Sequence, residues 1–184
     1  MSTQPFEQAV SVTHDVLEGV TADQLGNPTP CESWDVAALI NHLVGGQHFF
    51  LAALNGTPPA DPPDFAAGDF VADFDVVSAA CIAAFRADGV LEQTFTLPFG
   101  EMPGAALMGL ATTDTFQHAW DLAKATGQGT DLAPELAEML LAQSQASISE
   151  AFRGPEGAPF GAEQPAADDA AAADRLAAVL GRTV

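Results

Sequence analysis

Asp114 and His118 lie four residues apart in the segment AALMGLATTDTFQHAWDLAKAT, residues 105–126. The segment has the length and composition of one long helix. At 3.6 residues per turn, side chains at i and i+4 stack on one face. Leu107, Leu110, Ala111, Leu122 and Ala125 mark that face as apolar, so a carboxylate and an imidazole are expected inside a buried stripe. Such groups are costly to bury unless something pairs with them. Two ligand-type side chains at this spacing are also how a helix grips a metal ion. His42, in a second apolar segment, is the third candidate ligand.

Two imidazoles and a carboxylate suit Zn²⁺ foremost, and also Ni²⁺, Fe²⁺ or Mn²⁺. Three protein ligands leave one coordination position open, which is the catalytic pattern. A thiol in that position would ionise near neutral pH. Asp121, three residues past His118, falls on nearly the same face. There it can orient the imidazole as an outer acceptor, or be a plain surface carboxylate. The simpler alternative for Asp114 and His118 is a buried pair without metal.

Other reactive residue types carry less. Cys31 lies in a loop near a helix start, where a thiol pKa can be depressed, but a packed loop cysteine is the plainer reading. Cys81 fits an apolar helix face and reads as inert packing. His14 reads as a surface or core-edge residue. His48 is six residues past His42, about 240° round a helix at about 100° per residue, and so points elsewhere. Gly45 and Gly46 each cost about 1 kcal/mol in a helix interior. Close approach of another helix or a ligand beside His42 would explain them, as would a helix weak spot without function. The sequence has no Gly-rich phosphate loop, GxSxG elbow or CxxC motif.

The elements that must position these groups follow from periodicity and turn residues. A first helix is expected over 5–20, with Phe6, Val10, Val16, Leu17 and Val20 inward. Residues 26–33 form a turn-rich connection in which Thr29, Pro30 and Glu32 resemble a capping-box turn. Trp34 can serve as the staple residue and Asp35 as the N-cap of a second helix, 35–54, which carries His42. A Pro/Gly-rich loop spans 55–69. A third helix is expected over 70–88, with Phe74, Val77, Cys81, Ile82 and Phe85 facing the core. The run 94–97 is extended or one arm of a small hairpin. Pro103 opens the long helix at its first position and Gly127 ends it. A further long helix is expected over 131–152, with Leu136, Met139, Leu140 and Ile148 inward. A loop over 154–168 then leads to a short Ala-rich helix, 169–180, anchored by Leu176 and Leu180. The sum is an all-α four-helix bundle with one small addition and long loops, a single domain over 1–184.

Composition agrees with that class and removes others. Hydrophobic residues make up 48% of the 184, much of it Ala, while Tyr is absent and aromatics reach only 8%, which disfavours a β protein. The formal net charge is −20, from 25 acidic and 5 basic residues. Such a surface repels phosphate backbones and anionic bilayers, so neither nucleic acid nor membrane is an expected partner; solubility is the plainest use of the acidity. The opening MSTQPFEQAV lacks a signal-peptide pattern, and the apolar run over 76–85 is too short to span a bilayer, so a cytoplasmic location is expected. Two cysteines do not make a disulfide framework.

Three segments carry a resemblance: TPCESWDVAALINHLVGG, FGEMPGAALMGLATTDTFQHAWDLAKATGQ, and the closing DRLAAVLGR. They resemble an actinobacterial metal-binding family related to the amino-terminal domain of mycothiol-dependent maleylpyruvate isomerase, within the DinB/YfiT-like superfamily of four-helix bundles. The joint pattern W-x-V-x-x-L-x-x-H-L and H-x-W-D-L-A-x-A-T-G-Q is the specific part. The resemblance places the first metal-binding His at His42 and the second at His118. It puts Asp114 where the family often has Glu, one methylene shorter. It further implies a carboxy-terminal domain in the isomerase itself for which this sequence leaves no room, so isomerisation of maleylpyruvate is not inferred. What it does imply is a divalent-metal bundle acting with a low-molecular-weight thiol such as mycothiol on a small electrophile, by S-transfer or isomerisation. A non-catalytic metal protein with a structural, storage or sensing role, including a homodimer, stands as the second reading. A metal-free helical interaction module stands as the third.

Overall fold

The structure, a computed structural model, describes residues 2–31, 33–58, 61–154 and 160–184. Its helices are α1 (Gln4–Glu18), α2 (Val36–Leu54), α3 (Phe70–Phe85), α4 (Gly104–Thr126), α5 (Pro134–Ser147) and α6 (Ala172–Val179). A two-residue turn joins strands β1 (Thr94–Leu97) and β2 (Gly100–Pro103), paired antiparallel from Thr94↔Pro103 to Leu97↔Gly100. Helix α1 packs on α3 and α4, and α2 packs on the same two, which closes a four-helix ring. Helices α5 and α6 pair with each other and lean on α1 and α4. The expected bundle is therefore α1–α4, and the addition is a two-helix unit that includes the helix expected over 131–152.

Local chemistry explains most boundaries. The Asp35 carboxylate accepts from the Ala38 N–H at 2.8 Å and caps α2 as expected. Pro103 is the N-cap of α4 and not its first turn, with φ −61 and ψ 145. Gly127, at φ 71, takes the left-handed conformation that ends α4. Helix α3 stops at Phe85, three residues short of expectation, with Arg86 as its C-cap. Helix α5 stops at Ser147, and a separate 3-10 turn covers Glu150–Phe152. The break falls at Ser-Ile-Ser, where serine hydroxyls compete for backbone groups and Ile is a weak helix former. Helix α6 begins three residues later than expected, at Ala172. Glu32 of the expected capping-box turn lies outside the described residues.

Three apolar clusters fill the fold. At one end of the bundle Leu17, Leu39, Leu43, Phe74 and Leu122 meet. At the other, Phe6, Phe50, Cys81, Phe85 and Leu107 meet, with the Phe6 and Phe85 rings edge to face at 5.3 Å. The third cluster joins Phe116 and Trp120 of α4 to Leu136, Leu140 and Leu176. The Trp120 Nε1–H also donates to Asp174 of α6 at 2.8 Å. Helix α4 thus has two apolar faces in its second half, and every residue from Thr115 to Ala123 is buried. Leu110 and Ala125, expected in its core stripe, are only half-buried.

A buried polar layer fixes the register of α4 against its neighbours. The Gln47 side-chain N–H donates to Thr115 Oγ1 at 2.8 Å, and the Thr13 hydroxyl donates to the Thr115 carbonyl at 3.3 Å. Helix α2 is long and apolar enough to cross a membrane by length and composition. In the fold, Leu39, Ile40, Leu43 and Phe50 face the core, while Phe49 and Ala52 line a cavity.

Two glycines of α4 separate packing from propensity. A Cβ on Gly104 would stand 2.1 Å from the Val90 carbonyl oxygen, whereas one on Gly109 would meet nothing within 4 Å. Gly104→Ala is expected to destabilise by about 1–3 kcal/mol through overpacking. Gly109→Ala is expected to stabilise by roughly 1 kcal/mol through helix propensity. Urea unfolding of the two variants should shift the midpoint in opposite directions.

Candidate metal centre

His42 on α2 and Asp114 and His118 on α4 converge. Asp114 Oδ1 lies 3.4 Å from His42 Nε2 and 3.6 Å from His118 Nε2. The two imidazoles stand edge to face with centroids 4.5 Å apart. One donor atom from each of the three residues falls within 4.8 Å of the others. Hydrogen bonds between such groups prefer about 2.7–3.2 Å. Ligand atoms on one tetrahedral ion, at bonds of about 2.0–2.1 Å, sit about 3.3–3.4 Å from one another. The observed spacings are long for the first and close to the second, so the donor set fits a small divalent ion. Asp114, despite its short side chain, reaches both imidazoles.

The far side of the His118 ring is held by a second set of groups. Asp121, fully buried, has Oδ2 3.0 Å from His118 Nδ1. A carboxylate only accepts, so Nδ1 carries the hydrogen and Nε2 faces His42 and Asp114. Arg182, just past α6, donates to both Asp121 oxygens, each at 3.1 Å. The Cys31 thiol lies 3.2 Å from Asp121 Oδ2 and 3.7 Å from His118 Nδ1, with the Arg182 guanidinium 3.5 Å from its sulfur. Cys31, His118 and Asp121 also have cation-binding atom types and proximity. Arg182 already supplies the positive charge on that side, so the Nε2 side is the one that fits an ion.

Trp34 covers both imidazoles, its ring centroid 4.7 Å from that of His42 and 5.7 Å from that of His118. The loop carrying Cys31 and Trp34 is tied at its base: the Thr29 hydroxyl donates to the Trp34 carbonyl at 2.9 Å, and the Val36 N–H donates to the Asn27 carbonyl at 3.0 Å. Ser33, between the two site residues, sits at φ 70, a left-handed conformation that costs a non-glycine residue about 1–2 kcal/mol. Trp34 was expected as a helix staple and Cys31 as loop packing; Cys31 does pack in the core with Trp34 against it, and both also touch the site.

These contacts move the protonation equilibria. Burial disfavours charge on Asp114, but the imidazoles of His42 and His118 beside it hold its carboxyl below the usual carboxylate range. Burial likewise opposes charge on Asp121, and the His118 hydrogen bond with the Arg182 charge overcomes it. For His118, burial opposes the imidazolium, yet the hydrogen bonds of Asp121 and Cys31 and the charge of Asp114 push its pKa up to about 10. Cys81, by contrast, is a buried thiol pushed up to about 12 by its apolar surroundings, in keeping with inert packing.

The open side of the triad faces a cavity of about 890 Å³ bounded by α2, residues 57, 58, 61–63 and 65, Phe99 of the hairpin turn and Leu110 of α4. Gly45 and Gly46 form part of its wall. His48 does not approach the triad; it stacks on Phe65 at 5.5 Å within the same cavity. His14 lies elsewhere, bridged to Asp75 at 2.8 Å at the edge of α1.

Of the residues gathered here, His42, Asp114, His118 and Asp121 were legible from spacing and resemblance. Arg182 stood in the closing DRLAAVLGR segment without a role. Its clue was composition: an arginine is rare in a chain with 5 basic residues.

Known proteins share this arrangement of helices. Two chains described as crystal structures of mycothiol-dependent maleylpyruvate isomerase superpose on it. One is a histidine-to-alanine mutant, with a TM-score of 0.66 and 18% identity over 86% of this chain and 72% of that one. The other has a TM-score of 0.58 and 18% identity over 82% and 69%. In sequence, two proteins of Mycobacterium tuberculosis, from strains CDC 1551 and H37Rv and both described as uncharacterised, are 48% identical over 171 residues, 92% of this chain and 91% of theirs. A profile of the mycothiol maleylpyruvate isomerase N-terminal domain matches residues 6–123, the span that holds the bundle and all four expected site residues. The chain belongs to the mycothiol maleylpyruvate isomerase N-terminal domain family.

Proposed function

We propose that His42, Asp114 and His118 hold a divalent metal ion, Zn²⁺ foremost, and that the site activates a low-molecular-weight thiol of the mycothiol type against a small electrophile. The observation that carries this reading is the spacing of Asp114 Oδ1 from the two Nε2 atoms, 3.4 and 3.6 Å, with the remaining side turned to the cavity. The family's association with mycothiol supports the choice of thiol. When bound, the ion would supply a lowered thiol pKa, so that thiolate forms near neutral pH. The chain's own residues do the rest. Asp121 fixes the His118 tautomer and ring plane, His118 and Arg182 keep Asp121 ionised, and Trp34 packs against both imidazoles.

For an α,β-unsaturated carbonyl acceptor, the C–S bond forms as the C=C π pair shifts toward the carbonyl oxygen. The proton lost by the thiol ends on the neighbouring carbon, giving S-transfer. If the enolate instead rotates about its new Cα–Cβ single bond before a proton reaches the α-carbon, its electron pair re-forms C=C as the thiolate leaves, which gives isomerisation with no net change in thiol.

The zinc-restored chain is expected to consume mycothiol above the protein-free rate in the presence of a suitable electrophile. Chelation, His42→Ala and Asp114→Ala should each remove that excess, read by free-thiol titration. Zinc that raises the melting temperature with no thiol consumption by any of a broad electrophile panel would select a structural or sensing role instead.

The raised pKa of His118 sets a second expectation. In the zinc-free protein its stabilising charge is fully present below pH about 6.5 and is lost as pH climbs through about 10. The zinc-free melting temperature should therefore fall over that interval, and His118→Gln should flatten the slope. Zinc uptake at pH 7.5 must displace the His118 proton, so an indicator assay should read about one proton released per ion.

Arg182→Met should take from buried Asp121 the cation that reaches both its oxygens, costing about 3–5 kcal/mol in urea unfolding. It should also weaken zinc binding by about 10–100-fold in a competition titration, because the support of His118 is lost.

A further inference from the structure

The cavity beside the triad has a charge character of its own. Its apolar wall is built by Phe49, Phe65, Phe99 and Leu110, and its volume of about 890 Å³ is that of a small-molecule site. Asp61 is the ionisable group on the wall besides the histidines and Asp114, and it is an acid. The sequence holds 5 Lys and Arg in all, and each is placed away from this cavity. Arg86 pairs with Glu7, Arg153 binds the Val179 carbonyl, Arg175 pairs with Glu138, Arg182 pairs with Asp121, and Lys124 lies over the Trp120 ring. Asn41, the amide at the inner wall, is already engaged with Asp64 and with the Ala66 N–H. A carboxylate entering the zinc-free cavity would lose water and find no Lys or Arg to replace it.

The glycine pair gives an independent observation. A Cβ on Gly45 meets nothing within 4 Å, and one on Gly46 meets only Asp114 Oδ2 at 3.6 Å. No neighbouring helix presses on these positions, so packing does not demand glycine there. Both line the cavity beside His42 and Asp114, and their missing side chains keep that volume free.

We infer that this cavity takes an uncharged, largely apolar small molecule, and that this molecule is the electrophile the thiol attacks. The second half rests on the metal–thiol reading, in which the thiol takes the one open coordination position and leaves none for a carboxylate. The acceptor is then an ester, ketone or aldehyde conjugated to C=C. Sulfur bonds to its β-carbon as the π bond opens, and the thiol's proton ends on the α-carbon.

Binding is tested on the full chain, zinc-loaded and zinc-stripped, by ligand-observed NMR titration. The probes are methyl 3-phenylpropanoate and 3-phenylpropanoate, which differ by one charge and carry no C=C for a thiol to add to. The ester should bind the stripped protein at least tenfold more tightly than the acid. Gly45→Leu should weaken ester binding at least tenfold with an unchanged or raised melting temperature. Gly45→Ala, a smaller step, should move binding in the same direction. Equal or tighter binding of the acid, or Gly45→Leu with wild-type ester affinity, would overturn the inference.

Turnover tests the second half. With zinc and mycothiol, dimethyl fumarate should exceed fumarate at least tenfold in thiol consumption relative to the protein-free rate. Fumarate matching or exceeding the diester would overturn it. A chain that retains no zinc yet binds the ester and responds to Gly45→Leu would refute the metal reading while supporting the apolar ligand.

Discussion

Asp121 has no contact with solvent, and the site is arranged around keeping that carboxylate charged. An unpaired buried charge is among the most destabilising features a fold can contain. Asp121 is tolerated because Arg182 reaches both its oxygens and His118 and Cys31 approach from other sides. These partners come from α4, from the loop before α2 and from the end of α6. Satisfying one carboxylate therefore fixes three distant parts of the chain relative to one another. The orientation of the His118 ring is a result of that fixing, and so is the direction in which its Nε2 points.

The family profile covers all but the outer ends of the four bundle helices, residues 6–123. The triad of His42, Asp114 and His118 is wholly inside that span, but the support of His118 is not. Arg182 lies beyond it, brought to the bundle by α6, which packs against α5 and α4 and is held through Trp120 and Asp174. The two-helix addition is thus coupled to the chemistry of the bundle without contributing a donor to the triad. That division explains why α4 is apolar on two sides: one face closes the bundle, and the other docks the unit that delivers the arginine.

How much of this could be read from the sequence depended on separation along the chain. Asp114, His118 and Asp121 stand at i, i+4 and i+7 of one helix, so helical period alone puts them near one face. His42 needed only the assumption that two neighbouring helices of a bundle face each other. The N-cap at Asp35 and the stop at Gly127 were equally local. Arg182, Cys31 and Trp34 were different. They meet His118 or Asp121 across 61 to 90 residues, through a tertiary arrangement that no local period encodes. The second apolar face of α4 was hidden for the same reason, since Phe116, Ala119 and Trp120 have meaning only once α5 and α6 are in place. The helix expected to run through Ile148 failed where side-chain hydroxyls compete with the helix ladder, which hydrophobic spacing does not register.

The five cationic side chains, each tied to a partner inside this chain, leave the outer surface dominated by carboxylates. A field of that sign draws divalent cations inward from dilute solution and thins the local population of anions. Its reach is about 10 Å at 0.1 M salt and lengthens as salt is diluted. The acidity of the chain therefore acts on the rate at which a cation arrives, quite apart from how firmly any group of ligands would keep it. Capture would slow as ionic strength rises even if the final affinity were unchanged.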